Sequence, residues 1–85
     1  MPQFEYMVCA LQFNRVTFVN GEWQGSQPLD PQNPSDSFAS CPTIWDYLKT
    51  AGHQGWELVA ALEQTAADQQ KMQTLYLKRV LKHTM

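Results

Sequence analysis

The apolar positions of this chain fall into an N-terminal block and a C-terminal block, with a polar, proline-rich stretch between them. "FEYMVCALQF" (4–13) is rich in aromatic and β-favouring residues and predicts a strand. Both of its parities are apolar, with Phe4, Tyr6, Val8 and Ala10 on one side and Met7, Cys9, Leu11 and Phe13 on the other. A strand with one wet face alternates cleanly, so this pattern predicts cover on both faces. "RVTFVNGEW" (15–23) follows as a second strand ending in Asn20-Gly21, a pair that tolerates the positive φ of a tight hairpin.

The pattern then breaks. "GSQPLDPQNPSDSFASCP" (25–42) holds four prolines and four serines and no basic residue. Proline removes backbone donors and serine competes for the rest, which predicts a long, flexible connection in place of helix or sheet. "PTIWDYLKTAG" (42–52) restores a helical period: Ile44, Leu48 and Ala51 form one stripe, with Trp45 or Tyr47 at its margin. Pro42 suits the first turn, Thr43 with Asp46 resembles a capping box, and Gly52 fits a left-handed stop.

"WELVAALEQ" (56–64) and "MQTLYLKRVL" (72–81) read as two further strands joined by the polar turn "TAADQQK". Regular alternation puts Trp56, Leu58, Ala60 and Leu62 on one face with Leu75, Leu77 and Leu81, leaving Arg79 as the misfit. The other face then carries Glu57, Val59, Ala61 and Glu63 beside Thr74, Tyr76, Lys78 and Val80. The order strand, strand, helix, strand, strand predicts a single α+β domain over 1–85: a mainly antiparallel four-stranded sheet with one helix on one face. Its expected core is Ile44, Leu48, Trp56, Leu58, Leu62, Leu75 and Leu77.

"FEYMV" near the start, "YLKTAGHQGWELV" in the centre and "LYLKRVL" near the end together resemble a family of small bacterial proteins. These "GWELV" proteins form a domain of unknown function (4177-like). Tyr47, Leu48, Gly52, Gly55, Trp56, Glu57, Leu58 and Val59 match the centre of its pattern, and Tyr76, Lys78 and Arg79 approximate the end. The likeness spans both termini and the centre but not the Pro/Ser stretch. It implies the same α+β fold, a bacterial source and no assigned activity.

Charge and chemistry narrow the function classes. A net charge of −2 argues against a general nucleic-acid binder, which carries a basic excess. Tyr6, Tyr76 and Lys78 could still build a stacking platform for single strands, the remotest of the readings kept. No run is long and apolar enough for a membrane span, and no export signal is visible, which predicts a cytoplasmic protein with free Cys9 and Cys41. Cys9, Cys41, His53 and His83 are scattered without metal-ligand spacing, no cofactor motif is present, and no nucleophile sits with a base and an orienting group. His53 with Glu57 is the one conceivable acid–base pair, and an exposed loop histidine is the plainer reading. No enzyme is therefore expected.

What remains is association. One helix covers one face, yet the first strand is apolar on both, and Val59, Ala61, Tyr76 and Val80 add to the uncovered side. Tyr6, Val59, Ala61, Tyr76, Lys78 and Val80 are the candidate interface or ligand-binding residues of a homo-oligomeric binding module, a dimer or larger. The rival is a small-ligand or nucleotide-binding protein with a pocket between subunits, where Lys78, Arg79 and Lys82 could receive a small anion.

Overall fold

The computed structural model describes residues 2–65 and 71–81. Of the turn expected across 65–71, residues 66–70 lie outside them, as do Lys82 and His83. The elements run β1 (Phe4–Gln12), β2 (Arg15–Val19), β3 (Glu22–Trp23), α1 (Pro34–Ala39), α2 (Ile44–His53), β4 (Glu57–Thr65) and β5 (Lys71–Val80). The fold is α+β, but among the described residues it has five strands and two helices where four and one were expected. All neighbouring strands are antiparallel, in the order β3-β2-β1-β5-β4.

Local chemistry accounts for most of these elements. Phe13 and Asn14 link β1 to β2, and Asn20 and Gly21 link β2 to β3, all with positive φ. Two such residues in a row match the right-handed twist of the flanking strands. Asn20 also accepts the Val8 N–H on its side-chain oxygen at 2.9 Å, tying the second turn to β1. Helix α2 is capped by Thr43, whose hydroxyl accepts the Asp46 N–H. Gly52 stays inside the helix, and the left-handed residue is Gly55, at φ 91°. The helical stop expected at Gly52 thus falls three residues later, where the chain turns into β4.

The extra helix, α1, sits in the stretch whose composition predicted an open connection. Pro34 occupies its first turn, where a missing N–H costs nothing, and Asp36 complements the helix dipole. A helix of six residues cannot stand alone in water. Non-local contacts hold it: Phe38 packs on Phe13 and Trp23, and the buried Ser37 hydroxyl accepts the Asp30 N–H at 2.8 Å.

The core lies between α2 and one face of the sheet. Met7, Cys9 and Leu11 from β1, Val16 from β2, Leu75 and Leu77 from β5 and Ala51 from α2 are buried together. Val19, Ile44, Tyr47, Leu48 and Trp56 pack around them. Tyr47 is the marginal aromatic that joins the helix stripe, and Trp45 points to solvent. No β4 residue belongs to this core. Leu58 and Leu62, expected there, are 47% and 50% exposed.

Candidate interaction surface

Pairing partners in a sheet share a face, so the register shows what each side presents. On the helix side Met7 lies opposite Leu77, Cys9 opposite Leu75, and Glu5 opposite Arg79. On the other side Phe4 faces Val80, Tyr6 faces Lys78, whose neighbour on β4 is Glu57, and Val8 faces Tyr76, whose neighbour on β4 is Ala60. Ala10 continues that side, flanked by Phe18 and by Thr74 with Leu62. None of these side chains on β1, β4 and β5 is buried, and Tyr6 is 65% and Val80 53% exposed. Among the described residues the first strand is thus covered on one face only. We call the other the open face.

Tyr6, Tyr76, Lys78 and Val80 share the open face as expected; Ala61 does not, and Val59 has no pairing partner to place it on either face. A bulge between Leu58 and Ala60 makes Val59 the extra residue on β4. Beyond it the parity flips. Ala60 and Leu62 fall opposite Tyr76 and Thr74 on the open face, while Ala61 and Glu63 fall opposite Leu75 and Gln73 on the helix side. Leu58, before the bulge, keeps its expected place opposite Leu77. It remains exposed because the core beneath α2 draws on β1, β2 and β5 and stops short of β4. Leu62 therefore leaves the expected core and joins the apolar stripe of the open face.

Charge on the two faces is handled differently. Arg79, the misfit on the apolar side, is held on three sides. Its Nε donates to the Glu5 carboxylate, its Nη1 donates to Gln54 O at 3.1 Å, and its guanidinium lies 4.4 Å from the centre of the Trp56 ring. Trp56, packed against the core as expected, thereby seals the end of α2. On the open face Lys78 sits 4.7 Å from the Phe4 ring centre and 3.9 Å from the exposed Glu57 carboxylate. Lys78 and Arg79 thus lie on opposite faces, each with an acidic partner, and do not form one anion-binding cluster. A stacking platform for single strands would have Tyr6 and Tyr76 but only this one, already paired, cation among the described open-face residues of β1, β4 and β5.

Other candidate chemistry stays dispersed. His53 closes α2 and Glu57 opens β4, both exposed, and the ion pair of Glu57 is with Lys78. Cys9 and Cys41 are free and buried. Burial pushes the Cys9 thiol up to about 11, and it also raises Cys41, against a smaller opposing pull from Arg15. Burial, and then the neighbouring Cys9, raise Tyr47 too, whose hydroxyl donates to Met7 Sδ at 3.4 Å. Such thiols are poor nucleophiles. Among the described residues no three His, Cys, Asp or Glu side chains converge, and no helix is long and apolar enough to cross a membrane. A groove of about 600 Å³ lies between α1 and the far ends of β4 and β5, lined by Leu11, Phe13, Phe38, Gln73 and the Glu63–Lys71 ion pair.

Fold and surface together describe an α+β sheet protein with one face packed and one face open and apolar. No family model matches the chain, and no curated protein or solved structure matches it either.

Proposed function

We propose that this chain is a non-enzymatic, self-associating interaction module of the bacterial cytoplasm, and that the open face is its contact surface. The observation that carries the reading is the uncovered stripe of Tyr6, Val8, Tyr76, Val80 and Leu62, continuous across three strands. Contiguous exposed apolar surface of this kind marks an interaction site. A second copy is the occupant that fits its charge. The stripe carries one acid and one base, Glu57 and Lys78, side by side. A two-fold axis through the face sets Glu57 of each copy against Lys78 of the other, so the surface is complementary to itself.

Sedimentation velocity across the micromolar range tests this. The unaltered chain should run as a dimer or larger. Tyr76→Glu, which buries an unpaired charge in the contact, should weaken association by more than about tenfold. Trp45→Glu, which alters a more exposed aromatic on the solvent side of α2, should leave assembly unchanged. A monomer at every concentration, or a Tyr76→Glu chain that sediments as the unaltered one does, refutes the reading.

A further inference from the structure

We propose that the molecule has a second self-association surface: β4 pairs edge to edge with β4 of another copy about a two-fold axis at Leu62, extending the sheet from one chain into the next. The proposal rests on the self-association reading and adds a contact which that reading does not contain.

The two edges of the sheet differ sharply. β3 is two residues long, and the loop after it runs alongside, with the Ser26 N–H donating to Ser40 O and the Trp23 indole to Gln27 O. β4 is nine residues long and exposed at every position, and among the described residues no element lies beyond it. A long edge presents a row of backbone donors and acceptors, and proteins blunt such edges with proline, lysine or a bulge. β4 has neither proline nor lysine. Its bulge at Val59 disturbs only the first part of the strand and leaves residues 60–65 in regular pairing with β5. The core beneath α2 takes no residue from β4, so that helix does not bury the strand.

The bulge and the charges of β4 together select a second copy in one register. About a two-fold axis perpendicular to the sheet, only residues of the same face can lie opposite one another, so the axis falls on a single residue. With the axis on Ala60, the Val59 bulge lies inside the ladder, next to the axis. With the axis on Glu63, the two Glu63 carboxylates face each other. Like charges directly opposite are destabilising. With the axis on Ala61, the Val59 bulge falls inside the ladder. With the axis on Leu62, residues 60–64 pair wholly beyond the bulge: Leu62 meets Leu62, Ala60 meets Gln64, and Ala61 meets Glu63. The Glu63 carboxylate, set beside a small apolar residue in that arrangement, keeps its partner Lys71 at 3.7 Å. Leu62 lies on the open face, so the row Phe18, Ala10, Thr74, Leu62 runs on into the next copy and the two open faces become one surface.

Cross-linking tests the register. Directly opposed residues of antiparallel strands have Cβ atoms about 4.5–5.5 Å apart, close enough for a disulfide after a small adjustment. Leu62→Cys, treated with oxidised glutathione, should run at twice the monomer mass on a non-reducing gel. The two introduced thiols become one disulfide, and the oxidant leaves as two reduced glutathione thiols. Buried Cys9 and Cys41 leave the introduced thiol as the reactive one. Leu58→Cys should stay monomeric on the same gel, since its copy lies eight residues along the ladder, roughly 27 Å away.

The same cross-link should persist in Leu62→Cys/Tyr76→Glu, where the open-face contact is broken and circular dichroism shows the fold intact. A Leu62→Cys chain that does not cross-link, or a Leu58→Cys chain that cross-links equally, overturns the proposal. So does loss of the cross-link in the double variant, since the contact would then be face to face. If Tyr76→Glu leaves sedimentation unchanged while the Leu62→Cys chain still cross-links, the open-face reading fails and the edge contact stands.

Discussion

Replacing Arg79 by methionine should destabilise the domain far more than removing the Glu57 carboxylate, although both residues belong to cross-strand ion pairs. Arg79→Met keeps most of the aliphatic stem and deletes the guanidinium, so the change isolates what the charged head contributes. Three contacts are lost. The ion pair to Glu5, with the two side chains 37% and 31% exposed, is worth up to about 1 kcal/mol. The hydrogen bond from a charged donor to Gln54 O, being exposed, contributes at most roughly 1 kcal/mol. The guanidinium over the Trp56 ring adds about 0.5 kcal/mol. Their sum is about 2 kcal/mol, and the Glu5 carboxylate left without its partner makes it no smaller.

Glu57→Gln removes a pair at 3.9 Å whose acid is 71% exposed, worth at most a few tenths of a kcal/mol. With a urea slope of about 1 kcal/mol/M for a chain of this size, Arg79→Met should lower the unfolding midpoint by about 2 M and Glu57→Gln by under about 0.5 M. Tryptophan fluorescence reports the transition, because Trp56 is one of the residues uncovered. All variants must be compared at one protein concentration, since association couples to folding. A double-mutant cycle with Glu5→Gln isolates the pair itself. Equal midpoints for Arg79→Met and Glu57→Gln would refute the three-sided clamp and reduce Arg79 to an ordinary surface cation.

Gly52→Ala and Gly55→Ala should move stability in opposite directions in the same urea assay. The first adds a methyl in open space inside α2 and should gain about 0.5–1 kcal/mol; the second forces a Cβ onto φ 91° and should lose about 1 kcal/mol or more. Cys9 should resist alkylation by iodoacetamide at pH 8 in the folded protein and react once urea unfolds it. Its raised value means the folded state holds the proton longer than the unfolded chain. That contribution to stability is therefore complete below about pH 9 and lost as pH rises towards 11, where alkaline unfolding monitored by circular dichroism should become easier. A Cys9→Ser chain with the same alkaline midpoint would contradict this.

Strands β1, β2 and β5 and the cap at Thr43 were legible because each depends on neighbours close in the chain. Helix α1 was not. Its prolines and serines argue locally against helix, and the distant rings of Phe13 and Trp23 against Phe38, with the Ser37 hydroxyl hydrogen-bonded to Asp30, hold it in place. The bulge at Val59 was equally hidden. No glycine marks it, and one unsignalled residue exchanged the faces of everything from Ala60 to Thr65. That single residue moved Leu62 from the expected core to the open face and Ala61 from the expected interface to the helix side.

A better signal lay in the misfits. Arg79 was the one charge on the apolar parity of β5, and Glu5 shares a parity on β1 with Met7, Cys9 and Leu11. Two opposite charges, each out of place on an apolar face, are best accommodated opposite one another, because an unpaired charge there costs more than the pair returns. Setting Glu5 against Arg79 puts Met7 against Leu77 and Cys9 against Leu75, the register that the structure adopts. The same pairing fails to reach β4, whose charges, Glu57 and Glu63, are both acidic and find their bases, Lys78 and Lys71, on β5. Those two bases leave the far edge of β4 without a charge of its own to repel a strand between Ala60 and Leu62, and there a neighbouring backbone can approach.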